Sequence, residues 1–261
     1  MRFARPIALL LAALSVLVFA CRVDAQSTSD GLPDAPTPQL QDSDKPVTVM
    51  ETPRRILEDQ AAIWTSPARL RDSNALGPVA LVVATALVIT TDHQVMSSHF
   101  QNSSTNDKAS TASTGLTAGF GVAPVAIYAI GAMHHDDHAT ETGILGGEAM
   151  VDSIVVSEVM KAVSMRERPT LDGARGKFFQ TSVGLDSSFP SNHAIIAWSS
   201  AAAIASEYGG PLTQISAYGL ATGVSVSRVL ARRHFPSDVL VGSAVGWMIG
   251  RYVVHKHRRA D

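Results

Sequence analysis

The sequence predicts an all-α protein, a six-helix bundle carried behind an N-terminal signal segment and a tether. Three observations predict it. Apolar residues recur in stretches of helical length, separated by Gly, Pro and polar clusters, with little of the two-residue alternation of strands. Cys21 is the only cysteine in 261 residues, so no internal disulfide forms and the fold rests on its core. A short apolar run at the N-terminus is set off from the rest by a polar stretch.

The elements follow in order. Arg2 and Arg5 precede the apolar run Ile7 to Ala20, which is too short for a comfortable membrane span and reads as a secretory signal over 1–25. Val23-Asp24-Ala25 before Gln26 offers a small-residue cleavage site. The rival reading lipidates Cys21 after Val18-Phe19-Ala20, to which Phe19 is a poor fit. Residues 26–50, rich in Ser, Asp, Pro and Gln, read as a disordered tether. Residues 51–74 form an amphipathic lead-in, helical up to Pro67, with Ile56, Leu57, Ile63 and Trp64 to lay on the domain or on a membrane surface. The domain proper is 75–261. Its helices are expected at about 76–91, 115–133, 141–165, 193–208, 212–231 and 238–255, with Gly209-Gly210-Pro211 closing the fourth. A Ser/Thr/Asn-rich loop is expected over 97–113. His134-His135-Asp136-Asp137-His138 holds metal-ligand residue types, but consecutive residues rarely converge on one ion, so it reads as a solvated connection. The tail His255-Lys256-His257-Arg258-Arg259 reads as a solvated helix end whose charge suits the helix dipole.

Three patterns carry chemistry: Lys161-x6-Arg168-Pro169, Pro190-Ser191-Asn192-His193, and Ser227-Arg228-x5-His234-x3-Asp238. A phosphoryl group carries spread negative charge, so a site that transfers it chiefly positions it and stabilises that charge. Seven residues separate Lys161 from Arg168, close to two helical turns, which predicts both on one helix face with Pro169 ending the helix. Arg228 adds a planar fork suited to two phosphate oxygens. Ser191, Asn192 and His193 precede the apolar run Ala194 to Ala205, placing them at a helix N-terminus, where free N–H groups attract an anion. His234 with Asp238 reads as a nucleophile whose ring is held by a carboxylate, with His234 in a turn and Asp238 opening the next helix. His193 is the candidate general acid. The three patterns fall at helix ends that share one side of an antiparallel bundle.

On these motifs the chain resembles the type 2 phosphatidic acid phosphatase (PAP2)/vanadium haloperoxidase superfamily, which includes the class A bacterial acid phosphatases. The third pattern alone arises by chance in on the order of one chain in a thousand. The fixed positions match from about Gly143 onward, save Asn192 where the family usually has glycine. The resemblance implies a PAP2-type helical fold, phosphate held by Lys161, Arg168, Ser191, Asn192 and Arg228, and catalysis by His234, His193 and Asp238 through a phosphohistidine. It implies no metal and no cofactor; vanadate would serve only in the alternative, a haloperoxidase. A non-catalytic phosphate- or lipid-binding protein is a third reading. The expected partner is a phosphorylated substrate, lipid or small ester, with a membrane surface as a second. Net charge −2 and the absence of a basic stripe with aromatics argue against nucleic acid. Glu148, Asp152 and Glu158 in the third helix are expensive toward lipid unless a bundle interior shelters them. Six spans after a cleaved signal would put the catalytic side in the cytoplasm. The expectation is therefore an exported periplasmic domain at the membrane surface; the alternative is an integral inner-membrane protein with an external active site.

Overall fold

The computed structural model describes residues 47–69 and 75–258. The expected signal segment, its cleavage site, Cys21 and the tether up to residue 46 lie outside these residues. Among them are seven α-helices and no strand: α1 (Thr52–Thr65), α2 (Leu76–Ser98), α3 (Ser103–His134), α4 (Asp137–Ser164), α5 (Asn192–Glu207), α6 (Pro211–Leu230) and α7 (Pro236–His257). The lead-in helix is α1, and α2 to α7 follow the predicted order.

Two boundaries differ from expectation: the second helix runs on to Ser98 rather than ending near 91, and the third begins at Ser103 rather than near 115, whereas α4 ends within one residue of its expected end. The predicted Ser97–Ser113 loop is largely helix. Asn102 caps α3 by accepting from the Thr105 N–H at 3.1 Å, and packing overrides the weak helix propensity of Ser and Thr: Ser113 is fully buried. α4 stops at Ser164, with Met165 in the left-handed region (φ 39°) as its C-cap. Arg168 is therefore in the following loop, and the shared helix face predicted for it and Lys161 does not form.

α5 is the centre of the molecule. It packs against α3, α4, α6 and α7, and a run of small residues (Ala194, Ala197, Ala201, Ala202, Ala203) is wholly buried on it around Trp198. Trp198 stacks on Tyr218 of α6 and donates its Nε1–H to Ser225 at 3.0 Å. Along α7, Gly242, Gly246 and Gly250 face Ser191, Ile195 and Ser199 of α5 in turn. Equal steps of four in the same direction mean that α5 and α7 run parallel in close contact, with both N-termini at one end.

α1 divides the residues expected to lie on the domain or on a membrane surface: Ile63 packs against the core. Its buried residues are Arg55 and Asp59, whereas Leu57 and Trp64 point outward, 72% and 45% exposed. The charged face lies on the body, mainly against α4.

Candidate active site

The three patterns converge at the end of the molecule where α4 finishes and α5 and α7 begin. Each cation arrives from a different element. Lys161 sits in the last turn of α4, largely buried, with Nζ 3.9 Å from Glu158; burial holds its pKa below the usual lysine value. Arg168 is anchored from the loop by a 3.1 Å donation to the Arg233 carbonyl and a 2.7 Å pair with Asp186. Arg228, in the last turn of α6, donates to Ser113 at 3.2 Å. Its guanidinium is buried, its pKa is pushed down to about 10 chiefly by that burial, and its Nε–H has no partner. A buried donor without an acceptor is expensive, and an anion in the site would satisfy it.

Ser191 caps α5, accepting from the Ala194 N–H at 3.5 Å, and its own N–H donates to the Asp238 carbonyl at 3.1 Å. Asn192 and His193 occupy the first helical turn, where N–H groups lack intrahelical acceptors. Asn192 is not among the residues with positive φ, so this position makes no demand for glycine. Its side chain turns toward α4, accepting from Ser157 and donating to Glu158 at 2.7 Å. Its carboxamide ties two helices, and its backbone N–H is left for the phosphate-binding role expected at this position.

His193 is half-buried and senses Arg228, His234, Lys161 and Arg168; burial first, then these charges, push its pKa down to about 3. His193 is thus within electrostatic reach of His234 and of all three cations. His234 is buried in the turn between α6 and α7, its pKa driven well below the usual histidine value by desolvation and the same arginines.

Asp238 departs from the expected geometry. The Nδ1 of His234 lies 2.7 Å from the Ser188 carbonyl and 3.7 Å from Asp238, so a backbone oxygen holds the ring. Asp238 accepts from the Phe235 N–H at 2.8 Å, which closes the first turn of α7, and from Arg166 at 2.5 Å. Arg166 was not singled out by the motifs, nor was Asp92 of α2, to which it donates at 2.8 Å. Arg166 also donates to Ser237 at 2.7 Å and lies between the rings of Phe178 and Phe235. A desolvated arginine shared by two buried carboxylates locks the turn bearing His234; breaking such a network costs about 3–5 kcal/mol. An arginine two residues before Arg168 was visible in the sequence, but nothing there paired it with a carboxylate 74 residues away.

Comparison with known proteins gives two findings. Residues 143–261 match the PAP2 superfamily. A stretch of 65 residues is 38% identical to a lipid A 1-phosphatase from Porphyromonas gingivalis, covering 24% of this chain and 15% of that protein. No solved structure matches the chain.

Proposed function

Because residues 143–261 match the PAP2 superfamily, we propose that the protein is a membrane-associated phosphatase. It hydrolyses a phosphomonoester or diphosphate through a phosphohistidine and uses no metal in the reaction. The observation that carries this reading is the environment of His234. A carbonyl oxygen only accepts, so the 2.7 Å contact with Ser188 puts the proton on Nδ1. With its pKa depressed, the ring is neutral, and Nε2 keeps a free lone pair.

Phosphate enters with its oxygens shared among Lys161, Arg168, Arg228, the Ser191 hydroxyl and the first N–H groups of α5. His234 Nε2 attacks phosphorus in line; the P–O bond to the leaving group breaks, and His193 delivers a proton to the departing oxygen. A water molecule then gives its proton to His193 as it attacks phosphorus, and the P–N bond breaks to restore neutral His234 and free phosphate. Asp238 acts through the turn: with Arg166 it fixes the start of α7 and offsets the charge that appears on His234.

A lipid phosphate is the favoured substrate class. The relative's name concerns a lipid phosphate, and the outer faces of α2 and α3 are apolar enough to meet a bilayer.

The test is phosphate release by the purified full chain in EDTA, from phosphatidic acid, undecaprenyl diphosphate and p-nitrophenyl phosphate, at a temperature well below unfolding. Expected is release from the lipids in wild type and none from His234→Ala with an unchanged circular dichroism spectrum. Release from the soluble ester alone, by protein that needs no detergent, would favour an acid-phosphatase-like enzyme. Dye bromination by the vanadate-loaded protein without phosphate release would replace the phosphatase reading.

A further inference from the structure

Far from the phosphate site, α1 is fastened to the body by buried charge. Three carboxylates meet there: Asp59 of α1, with Glu148 and Asp152 of α4, each at most 1% exposed. Glu148 and Asp152 are each held through one oxygen, while both oxygens of Asp59 have partners, with His257 Nε2 3.0 Å from Oδ1 and 2.9 Å from Oδ2. Arg55 donates to Glu148 Oε2 at 2.8 Å, Lys256 to Asp59 Oδ1 at 2.6 Å, and Gln60 to Asp152 Oδ1 at 2.8 Å. The second oxygens are the unusual feature. Glu148 Oε1 and Asp152 Oδ2 are buried with no hydrogen-bond partner. Asp59 Oδ2 lies 2.9 Å from His257 Nε2, and that same nitrogen is 3.5 Å from Glu148 Oε1.

One imidazole nitrogen carries at most one hydrogen, so His257 cannot serve both carboxylates by donation. A protonated His257 would balance Arg55 and Lys256 against the three carboxylates, yet its one Nε2–H still leaves the buried Glu148 Oε1 without a donor. A cation shared by Asp59, Glu148 and His257 meets that oxygen. The atoms offered by Asp59, Glu148 and His257 lie within 4.8 Å of one another. Bonds of about 2.1 Å in a tetrahedral site separate ligand atoms by roughly 3.4 Å, close to the 2.9 and 3.5 Å found around His257 Nε2.

We propose that Asp59 Oδ2, Glu148 Oε1 and His257 Nε2 bind a divalent cation of the zinc class, which clamps α1 to α4 and α7. One imidazole and two carboxylates form a ligand set suited to zinc rather than to calcium or magnesium. Arg55 and Lys256 orient the ligating carboxylates from their other oxygens, and Asp152, in electrostatic contact with all three ligands, is the neighbour for a metal-bound water. Thirteen residues of helix separate Glu148 from Lys161, about 20 Å, so the ion takes no part in phosphoryl transfer. Its role is to hold the lead-in helix.

Metal content of the full chain tests this directly. Protein stripped with EDTA, reloaded with Zn2+ and desalted should retain one zinc per chain and melt roughly 5 °C higher than the stripped form. Co2+ loading should give the visible absorption of a tetrahedral site. His257→Gln should lose the zinc, the absorption and the melting shift together. No retained metal and no shift in wild type would overturn the proposal, as would undiminished binding in His257→Gln, which would place the ion elsewhere. Should that variant not fold, the wild-type metal content and Co2+ spectrum still decide. None of these readouts involves phosphatase activity, so the clamp and the catalytic reading stand or fall separately.

Discussion

His193 presents a chemical problem at the level of one side chain. A general acid must hold a proton, yet burial and the surrounding cations push this imidazole down to about 3 in the unliganded site. The substrate supplies what is missing. A phosphate brings negative charge against the ring and raises its pKa, and a monoanionic phosphoester also brings the proton. The second ionisation of such an ester is near 6. Above that pH the substrate arrives without its proton, so kcat/KM is expected to fall as pH rises through about 6. His234, held well below its ordinary pKa, stays neutral and causes no loss on the acid side until far lower pH. His193→Ala should cost about 10²–10⁴-fold in kcat on alkyl phosphates, and markedly less on p-nitrophenyl phosphate, whose leaving group departs without a proton. A profile flat between pH 5 and 8, with equal losses on both esters, would remove His193 from the role.

Two helices set the distance between the histidines. His193 rides on the first turn of α5 and His234 immediately precedes α7, and the Gly242, Gly246 and Gly250 face fixes how closely these helices approach. A Cβ at Gly246 would fall inside contact distance of the Ile195 backbone, which cannot yield as a flexible side chain would. Gly246→Leu should therefore destabilise the protein by about 1–3 kcal/mol or more, and lower kcat by displacing one histidine from the other. Gly147→Ala on α4 is the control: nothing lies within 4 Å of its would-be Cβ, so melting should be unchanged or slightly raised. Equal melting temperatures for wild type and Gly246→Leu would mean the two helices are not in this register. The order of the helices was legible in the sequence because apolar stretches and Gly-Pro punctuation are local signals. Their ends were less so. Asp92 breaks the apolar run of α2 and marked its predicted end, yet the helix continues to Ser98 because Asp92 is buried against Arg166. The motifs likewise located the cations and histidines, since those residue types at those spacings are themselves the signal. Partners distant in sequence were not legible: the Ser188 carbonyl on His234, Arg166 on Asp238, and Asp59 on the Lys256 and His257 that read as a solvated tail.

Among the described residues, the outer faces of α2, α3 and α4 are apolar where a water-soluble domain would be polar. α2 and α3 are each long and apolar enough to cross a membrane, with hydropathy 1.6 and 1.7 over windows only 11% and 17% buried. A core helix of a soluble protein passes the same length and hydropathy test, but it does so by being buried. Leu76, Val79, Val83 and Leu87 project outward from α2, Val122, Val125 and Ile130 from α3, and Val151, Val155, Val159 and Val163 form a row along α4. An exposed apolar surface spread over three helices marks a lipid or protein contact. Of the three acids that argued from sequence against lipid, Glu148 and Asp152 are turned inward onto α1, while Glu158, its side chain 44% exposed, pairs with Asn192 and Lys161 at the site end of α4. The same proposed membrane contact would account for α1 presenting its charges to the body and Leu57 and Trp64 to the outside. The full chain should thus resist carbonate extraction from membranes and require detergent. Val83→Asp combined with Leu87→Asp tests the cause: each carboxylate costs about 2.5–3.5 kcal/mol deep in a bilayer and close to nothing in water. Loss of membrane retention in the double variant, with p-nitrophenyl phosphate turnover preserved in detergent, is the expected outcome. If the variant stays bound as tightly as wild type, the face of α2 lies against protein or water, and the substrate reaches His234 from solution rather than from the plane of a membrane.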